Sequence, residues 1–157
     1  MNSFFEWLQM TGLAVKVSEV WFPWVESLHV IALALVVGTL FIIDSRLIGL
    51  TSRHLRFTYV SEQLLPWTWG AFIVAATTGI LLFMSNAQGY VSNTPFLIKM
   101  GLLVLAGLNM LYFQLVTYRS VASWDAGRPI PAARVAGIVS LTLWILIIGF
   151  GRWIGFV

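Results

Sequence analysis

The chain lacks cysteine and is poor in charged residues. Of its 157 residues 10% are charged and 59% are hydrophobic, and the mean hydropathy is +0.90. The absence of cysteine excludes disulfides, thiolate metal sites, iron–sulfur clusters and cysteine nucleophiles. The sequence also lacks a phosphate-binding glycine loop, a nucleophile elbow and an HExxH motif. A soluble domain has about a quarter of its residues charged, so this composition is typical of a membrane protein.

Four stretches without Asp, Glu, Lys or Arg predict the membrane helices. These stretches are residues 27–43, 63–98, 100–118 and 135–151. About 20 apolar residues cross the hydrocarbon core of a bilayer. The predicted spans are therefore residues 22–43, 66–86, 96–118 and 135–155. Pro23, Pro66 and Pro95 are each expected in a first helical turn, where a missing N–H is harmless.

The expected fold is an all-α membrane protein in two parts. Residues 21–157 would form a four-transmembrane-helix bundle. Residues 1–20 would form an N-terminal amphipathic helix, because Glu6, Gln9 and Lys16 lie on one side of it and apolar residues occupy much of the rest. Such a helix suits the outer membrane interface, and a cap over the outer ends of the bundle is the alternative.

The arginines predict the orientation of the chain. The segment 44–65 carries Arg46, Arg53 and Arg56, and the segment 119–134 carries Arg119, Arg128 and Arg134. The segment 87–95 carries none. Short loops rich in Lys and Arg remain in the cytoplasm, so both termini are expected outside. The net charge of +3 is explained in the same way and does not indicate nucleic-acid binding.

The stretch "FPWVESLHVIALALVVG" places two ionisable residues, Glu26 and His29, near the start of a membrane helix. They are one turn apart on nearly the same face, and His29 lies roughly 9 Å below Pro23. Ionisable groups inside membrane spans are costly, which makes them functional candidates. A Glu-x-x-His pair also occurs in di-iron bundles, but those need two such pairs and two further carboxylates.

Other helices are predicted to contribute residues at the depth of His29. The third helix would bring Lys99 and Met100, the second Met84, and the fourth Arg152. These residues and Glu26 form the predicted cofactor site, with His29 as the metal ligand. An inward histidine among apolar helices suits a b-type haem, and Lys99 and Arg152 would then pair with its propionates.

Each of these residues also has a structural interpretation. Glu26 would pair with Lys99 as a bridge between helices, Arg152 would extend to the interface, and Met84 and Met100 would be packing residues. Elsewhere, Asp44 and Arg46 are expected to form an interfacial ion pair. Asn109 is expected to link two helices. His54 lies across the bilayer from His29, as a solvated residue.

Several stretches resemble a family of uncharacterised four-helix bacterial inner-membrane proteins, a domain of unknown function. They are "ESLHVIALALVVGTLFIIDSRLIGL", "LLPWTWGAF", "TGILLFMSNA" and "NTPFLIKMGLLVLAGLNMLYF". The chain also looks loosely similar to the copper-resistance D and membrane cytochrome b proteins. The resemblance covers residues 20–120 and, weakly, the fourth helix. It implies the fold, a bacterial inner-membrane location and His29 as the membrane histidine. Relatives often carry a histidine where this chain has Gln114.

The sequence therefore leads to one functional hypothesis and two alternatives. The hypothesis is a haem-b protein that carries electrons or senses a ligand, with a redox partner or quinone and a homo-oligomeric state as further expectations. The first alternative is a copper-handling protein that uses His29, Glu26 and the methionines. The second is a structural or accessory subunit without a cofactor.

Overall fold

The computed structural model describes residues 2–51 and 54–156, which form helices and turns without a β-strand. Arg53, expected in an arginine-bearing loop, lies outside the described residues. The helices are α1 (Asn2–Gln9), α2 (Gly12–Lys16), α3 (Phe22–Ile48), α4 (Phe57–Ser85), α5 (Ala87–Ser92), α6 (Thr94–Tyr112) and α7 (Pro131–Trp153). A π-helical turn (Val17–Trp21) joins α2 to α3, a π-helical and a 3₁₀ turn (Phe113–Thr117, Tyr118–Ser123) extend α6, and a 3₁₀ turn (Ile154–Phe156) follows α7.

Four continuous helical stretches are long and apolar enough to cross a membrane. They are Gly12–Ile48, Phe57–Ser85, Thr94–Ser123 and Pro131–Phe156. The predicted helical class and the number of candidate spans are confirmed. The first of these stretches runs through residue 20, so the N-terminal segment is continuous with the first long helix.

Pro66 does not begin a helix, which corrects one predicted boundary. The helix α4 begins at Phe57, and Pro66 lies inside it. The start of α4 is held by a residue that is distant in the sequence. The Asp125 carboxylate accepts hydrogen bonds from the Thr58 N–H at 2.8 Å and from the Thr58 hydroxyl at 2.9 Å. A proline within a helix removes one N–H donor, and long membrane-type helices tolerate this.

The N-terminal helix α1 lies against the end of the bundle that carries α5, which we call the α5 end. Gln88 donates a hydrogen bond to Glu6 at 2.9 Å, and Gln9 donates one to Asn86 at 3.3 Å. The rings of Phe5 and Phe83 meet edge to face at 6.2 Å. These contacts favour the cap over the bundle ends, and the exposed side chains Phe4 and Trp7 keep an apolar surface on α1.

The bundle is closed by close helix packing on three sides and by aromatic rings on the fourth. The helix α3 packs against α4 and α7, and α7 packs against α6. Between α4 and α6, the rings of Phe83 and Phe96 stack at 5.6 Å near the α5 end. The rings of Phe57 and Phe113 meet at 5.8 Å at the opposite end, which we call the arginine end. Rings thus bridge α4 and α6 above and below the middle of the bundle.

The expected ion pair between Asp44 and Arg46 is wrong. Arg46 is fully buried, and its Nε donates to the Leu55 carbonyl at 2.9 Å. Its Nη2 donates to the carbonyls of Asp125 at 3.0 Å and Gly127 at 3.4 Å. The Asp44 carboxyl instead lies near enough to the Ser140 side chain of α7 to interact with it, while its buried Oδ2 makes no hydrogen bond to the described residues. Residues two apart on a helix face different directions, which is why the two side chains find different partners.

Asn109 links two helices as expected. Its side-chain amide donates to the Ala136 carbonyl at 3.0 Å and so joins α6 to α7. A polar side chain in the middle of an apolar helix is thereby satisfied within the bundle.

Candidate functional site

His29 is held on α3 by a hydrogen bond to α4. Its Nδ1 lies 2.9 Å from the Thr78 hydroxyl oxygen. That hydroxyl donates its single proton to the Val74 carbonyl at 2.7 Å, with the Ala75 carbonyl at 3.2 Å. With that proton on the Val74 carbonyl, we assign Thr78 as the acceptor from His29, which places the proton on Nδ1 and the lone pair on Nε2. Metal-binding histidines are oriented in this way by a partner on the other ring nitrogen.

A glycine on α4 makes room for the imidazole. A Cβ at Gly79 would lie 3.1 Å from the His29 Cε1 and 3.6 Å from its Nδ1. Such a contact is tighter than ordinary van der Waals packing, so the ring would have to move. The pair Thr78 and Gly79 thus sets both the hydrogen bond and the space that define the ring's position.

Lys99 reaches the same layer from α6. Its side chain is half-buried and packs along Gly151 of α7, where a Cβ would lie 3.4 Å from Nζ. The ammonium is close enough to His29 for an electrostatic interaction. Glu26 and Lys99 are both described, and they form no ion pair within 4.0 Å. The bridge between these two residues, which was the alternative to a cofactor role for Glu26, is therefore absent, and the cation lies near the histidine without a carboxylate partner.

An aromatic cluster separates this layer from the α5 end. Tyr90 and Phe96 lie 5.2 Å apart, and Phe83 stacks on Tyr90 at 6.2 Å and on Phe96 at 5.6 Å. Along their helices Phe83 follows Thr78 by about 7.5 Å, and Phe96 precedes Lys99 by about 4.5 Å. Along the helix axes the three rings therefore lie between this layer and the α5 end, and we call them the aromatic roof.

Glu26 is exposed and lies near the roof residue Tyr90. Burial raises the pKa of the Tyr90 hydroxyl, and the negative charge of Glu26 raises this pKa further. The carboxylate therefore lies near enough to Tyr90 to repel its ionised form. Of the predicted site residues, Glu26 is the one whose electrostatic effect reaches the roof.

The remaining predicted site residues are dispersed. Arg152 is exposed, and its guanidinium lies 5.3 Å above the Phe156 ring. Met100 is 45% exposed on the surface of α6, whereas Met84 is half-buried beside the roof residue Phe83. The structure thus brings His29 and Lys99 together and places Arg152 and Met100 on the surface. His54 is exposed between α3 and α4, at the arginine end.

Two cavities lie elsewhere in the described chain. One, of about 410 Å³, is an apolar groove between α3 and α4 that is lined by residues such as Leu28, Pro66 and Trp67. The other, of about 520 Å³, lies at the arginine end. Neither is lined by His29 or Lys99. The described residues contain no group of three or more His, Cys, Asp or Glu side chains that would hold a metal ion.

Sequence reasoning missed Thr78, Gly79 and the three roof residues. A threonine that bonds its own helix backbone is common in apolar helices, so Thr78 alone carries no signal. The stretch "TTG" at residues 77–79 interrupts the apolar run of α4, and this interruption was the sequence signal that could have pointed to Thr78 and Gly79. The roof is assembled from α4, α5 and α6, and ordinary aromatic residues at helix ends do not indicate that they will meet.

The family comparison covers almost the whole chain. The model of a family of unknown function (DUF6644) matches residues 4–157. This range includes the fourth long helix, for which the resemblance seen in the sequence was weak. The match shows no similarity to copper-resistance D or cytochrome b proteins. No curated protein and no solved structure matches the chain.

Proposed function

Since the chain belongs to DUF6644, a family whose function is unknown, we propose from its own residues that it is a haem-b-binding membrane protein with His29 as an axial ligand. The observation that carries this proposal is the hydrogen bond from His29 Nδ1 to Thr78 at 2.9 Å. It orients the ring and, with the proton on Nδ1, leaves the lone pair on Nε2, which is the arrangement that a histidine ligand requires.

Lys99 supports haem over a bare metal ion. A half-buried ammonium near the histidine and without a carboxylate partner suits a ligand that brings its own carboxylates. Haem b has an iron for His29 and two propionates, of which one would be held by Lys99. Bound there, haem would supply one-electron transfer or the binding of a small gas. The protein would accordingly act as an electron carrier, with a redox partner or quinone, or as a haem-based sensor.

The role of the chain's own residues follows from their positions. Thr78 keeps the Nδ1 proton in place and orients the ring, while Gly79 leaves space beside it. The aromatic roof excludes water from the layer, which strengthens the interaction of Lys99 with an anionic group. A second ligand to the iron would come from Met84, from His29 of another copy or from a small exogenous molecule, since Met100 lies on the surface.

Copper receives less support than haem. Copper sites in proteins need several histidine, methionine or carboxylate ligands on one ion. In the described part of the chain His29 has no second histidine within its layer, and Met100 and Glu26 are exposed. A structural or accessory subunit without a cofactor would not explain why Nε2 of His29 and the Lys99 ammonium are present in an apolar layer.

We place the protein in a bacterial inner membrane, with the α5 end on the periplasmic side. Five of the arginines, Arg46, Arg56, Arg119, Arg128 and Arg134, lie at or near the arginine end, as cytoplasmic segments require. Both termini would then be periplasmic. Cysteine labelling of intact cells tests this orientation: residues introduced at Gln88 should react with an impermeant reagent and those at Ala126 should not.

We also propose a homo-oligomer in the bilayer. None of the described residues of α6 is buried, although the helix is largely apolar. A second copy packed on α6 would cover this face by the close van der Waals contact that joins membrane helices. The mass of the purified protein, corrected for detergent, should exceed that of one 17.6 kDa chain. A mass equal to one chain would reject the oligomer without affecting haem binding.

The absorption spectrum of the purified protein tests the haem proposal directly. Protein produced with ample haem supply should show a Soret band, and His29→Ala should lose it while still inserting in the membrane. His54→Ala is the matched control, because His54 is the chain's other histidine and is exposed at the arginine end. Wild-type protein without haem, or a His29→Ala protein with unchanged haem, would overturn the proposal.

A further inference from the structure

Among the described residues, the lining of the cavity of about 520 Å³ at the arginine end contains three arginines and no acidic residue. Its walls are formed by Arg46, Ile48, Gly49, Gly127, Arg128, Pro129 and Arg134. Its size falls within the range of about 300–1,000 Å³ that is usual for small-ligand pockets. It lies at the opposite end of the bundle from His29, and the proposed haem site makes no use of it.

One of the three guanidiniums is fully buried and retains an unused donor. Arg46 has no exposed surface, and its Nε and Nη2 are committed to the backbone carbonyls of Leu55, Asp125 and Gly127. Its buried Nη1 has no hydrogen-bond partner. A charged donor left unsatisfied in a protein interior is costly, so a native structure normally provides an acceptor for it.

The charge around the cavity is positive even with the carboxylate of Asp125 included. Arg128 and Arg134 are exposed side chains on the wall, and Asp125 is the acidic residue that interacts electrostatically with Arg46. The carboxylate of Asp125 is already used by the N–H and hydroxyl of Thr58. Pro129 and Arg134 also place the cavity beside the start of α7, the positive end of that helix dipole.

We infer that this cavity binds a phosphate group, with the exposed guanidiniums of Arg128 and Arg134 as its donors and the buried charge of Arg46 behind them in the wall. Guanidinium groups match the oxygens of phosphate in geometry as well as in charge. Two kinds of ligand contain this group: an anionic phospholipid headgroup and a soluble phosphate or phosphate ester. The headgroup is a candidate because basic pockets at the cytoplasmic ends of membrane helices bind anionic lipids.

The test uses the full-length protein in a non-ionic detergent, with its lipid removed. Thermal unfolding is measured with inorganic phosphate, with glycerol phosphate, and with micelles containing phosphatidylglycerol or, for comparison, phosphatidylcholine. A ligand that binds the folded state alone raises the unfolding temperature as its concentration rises. Stabilisation by the soluble phosphates identifies a soluble ligand, and stabilisation by phosphatidylglycerol alone identifies the lipid headgroup.

Two double variants separate the cavity from general positive charge. Arg128→Gln with Arg134→Gln removes two donors from the wall and should weaken phosphate binding at least tenfold. Arg56→Gln with Arg119→Gln makes the same charge change at exposed positions that do not line the cavity, and should leave binding unchanged. Arg46 also donates hydrogen bonds to three backbone carbonyls, so its substitution would disturb the fold. The test therefore uses the exposed residues Arg128 and Arg134. Equal weakening in both double variants, or no stabilisation by any phosphate compound in the wild type, would overturn the inference.

Discussion

The Nδ1 of His29 and the hydroxyl oxygen of Thr78 lie 2.9 Å apart across the α3–α4 interface. The Thr78 proton is already directed to the Val74 carbonyl, so the histidine is the donor in this pair. In this assignment a single threonine selects the tautomer of the one histidine that lies within the four long apolar helices. The first three predictions concern this relationship and its neighbours.

Thr78→Val removes the acceptor while keeping the size and shape of the side chain. We expect haem affinity to fall by about 10- to 100-fold, the usual effect of losing the partner that orients a histidine ligand. Transfer of haem to an apo-globin acceptor measures this affinity. Thr77→Val is the control, because the Thr77 hydroxyl bonds the Ile73 carbonyl of its own helix and is exposed. An equal loss in both variants would mean that the hydroxyl of Thr78 has no special role.

Gly79→Ala introduces a Cβ at 3.1 Å from His29 Cε1 and should push the ring away from Thr78. We expect weaker haem retention and a shifted Soret band, although alanine itself favours the helix by about 1 kcal/mol. The control is Gly70→Ala on the same helix, where a Cβ would meet nothing within 4 Å. A Gly79→Ala protein with the wild-type spectrum and affinity would contradict the prediction.

Lys99→Met keeps the length of the side chain and removes its charge. If Lys99 holds a propionate, haem should be released more readily and its midpoint potential should change, while Lys99→Arg should restore much of the wild-type behaviour. Lys16→Met is the matched control, since Lys16 is the other lysine and is exposed. A potentiometric titration that does not distinguish Lys99→Met from Lys16→Met would exclude this role.

Tyr90 should titrate above the ordinary tyrosine pKa of 10.0, because burial and then the charge of Glu26 disfavour its ionised form. The folded chain therefore holds this proton more tightly than the unfolded chain. The corresponding stability is complete below about pH 10 and is lost as the pH rises through the raised pKa. Glu26→Gln should lower the pKa of Tyr90 without restoring the ordinary value, since burial is the larger cause.

The tyrosinate absorbance of each protein, minus that of its Tyr90→Phe variant, measures this pKa. Glu19→Gln serves as the control for removing a carboxylate from the same helical stretch. A Tyr90 pKa that is unchanged in Glu26→Gln would show that the carboxylate does not act on the ring.

Arg46→Leu should destabilise the fold by about 3 kcal/mol, because it deprives several carbonyls at the arginine end of a charged donor. Arg46→Lys should recover only part of this loss, since one ammonium cannot reproduce the planar fork of the guanidinium. Unfolding in mixed detergent micelles gives the free energies. Arg56→Leu, at an exposed position, should change little. Equal stabilities of Arg46→Leu and Arg56→Leu would refute the structural role of Arg46.

The candidate site could be found in the sequence only in part. His29 and Lys99 were identifiable because a charged or polar group in an apolar run is conspicuous whatever its neighbours are. Arg152 and Met100 were included on depth alone, and depth along a helix does not say which way a side chain faces. Helix rotation decides that, and it places Met100 on the surface while Lys99, one residue before it, packs on Gly151.

The sequence by itself determined the helical class, the number of long apolar helices and the separation of His29 from His54, because hydropathy and chain length are properties of local segments. Only the tertiary structure decided the partners. Thr78 lies 49 positions from His29, and Asp125 lies 67 positions from the Thr58 that it binds. The tertiary structure also places Pro66 inside a helix and buries Arg46 away from Asp44. Such pairings depend on how long helices rotate and approach one another, which uniformly apolar segments leave undetermined.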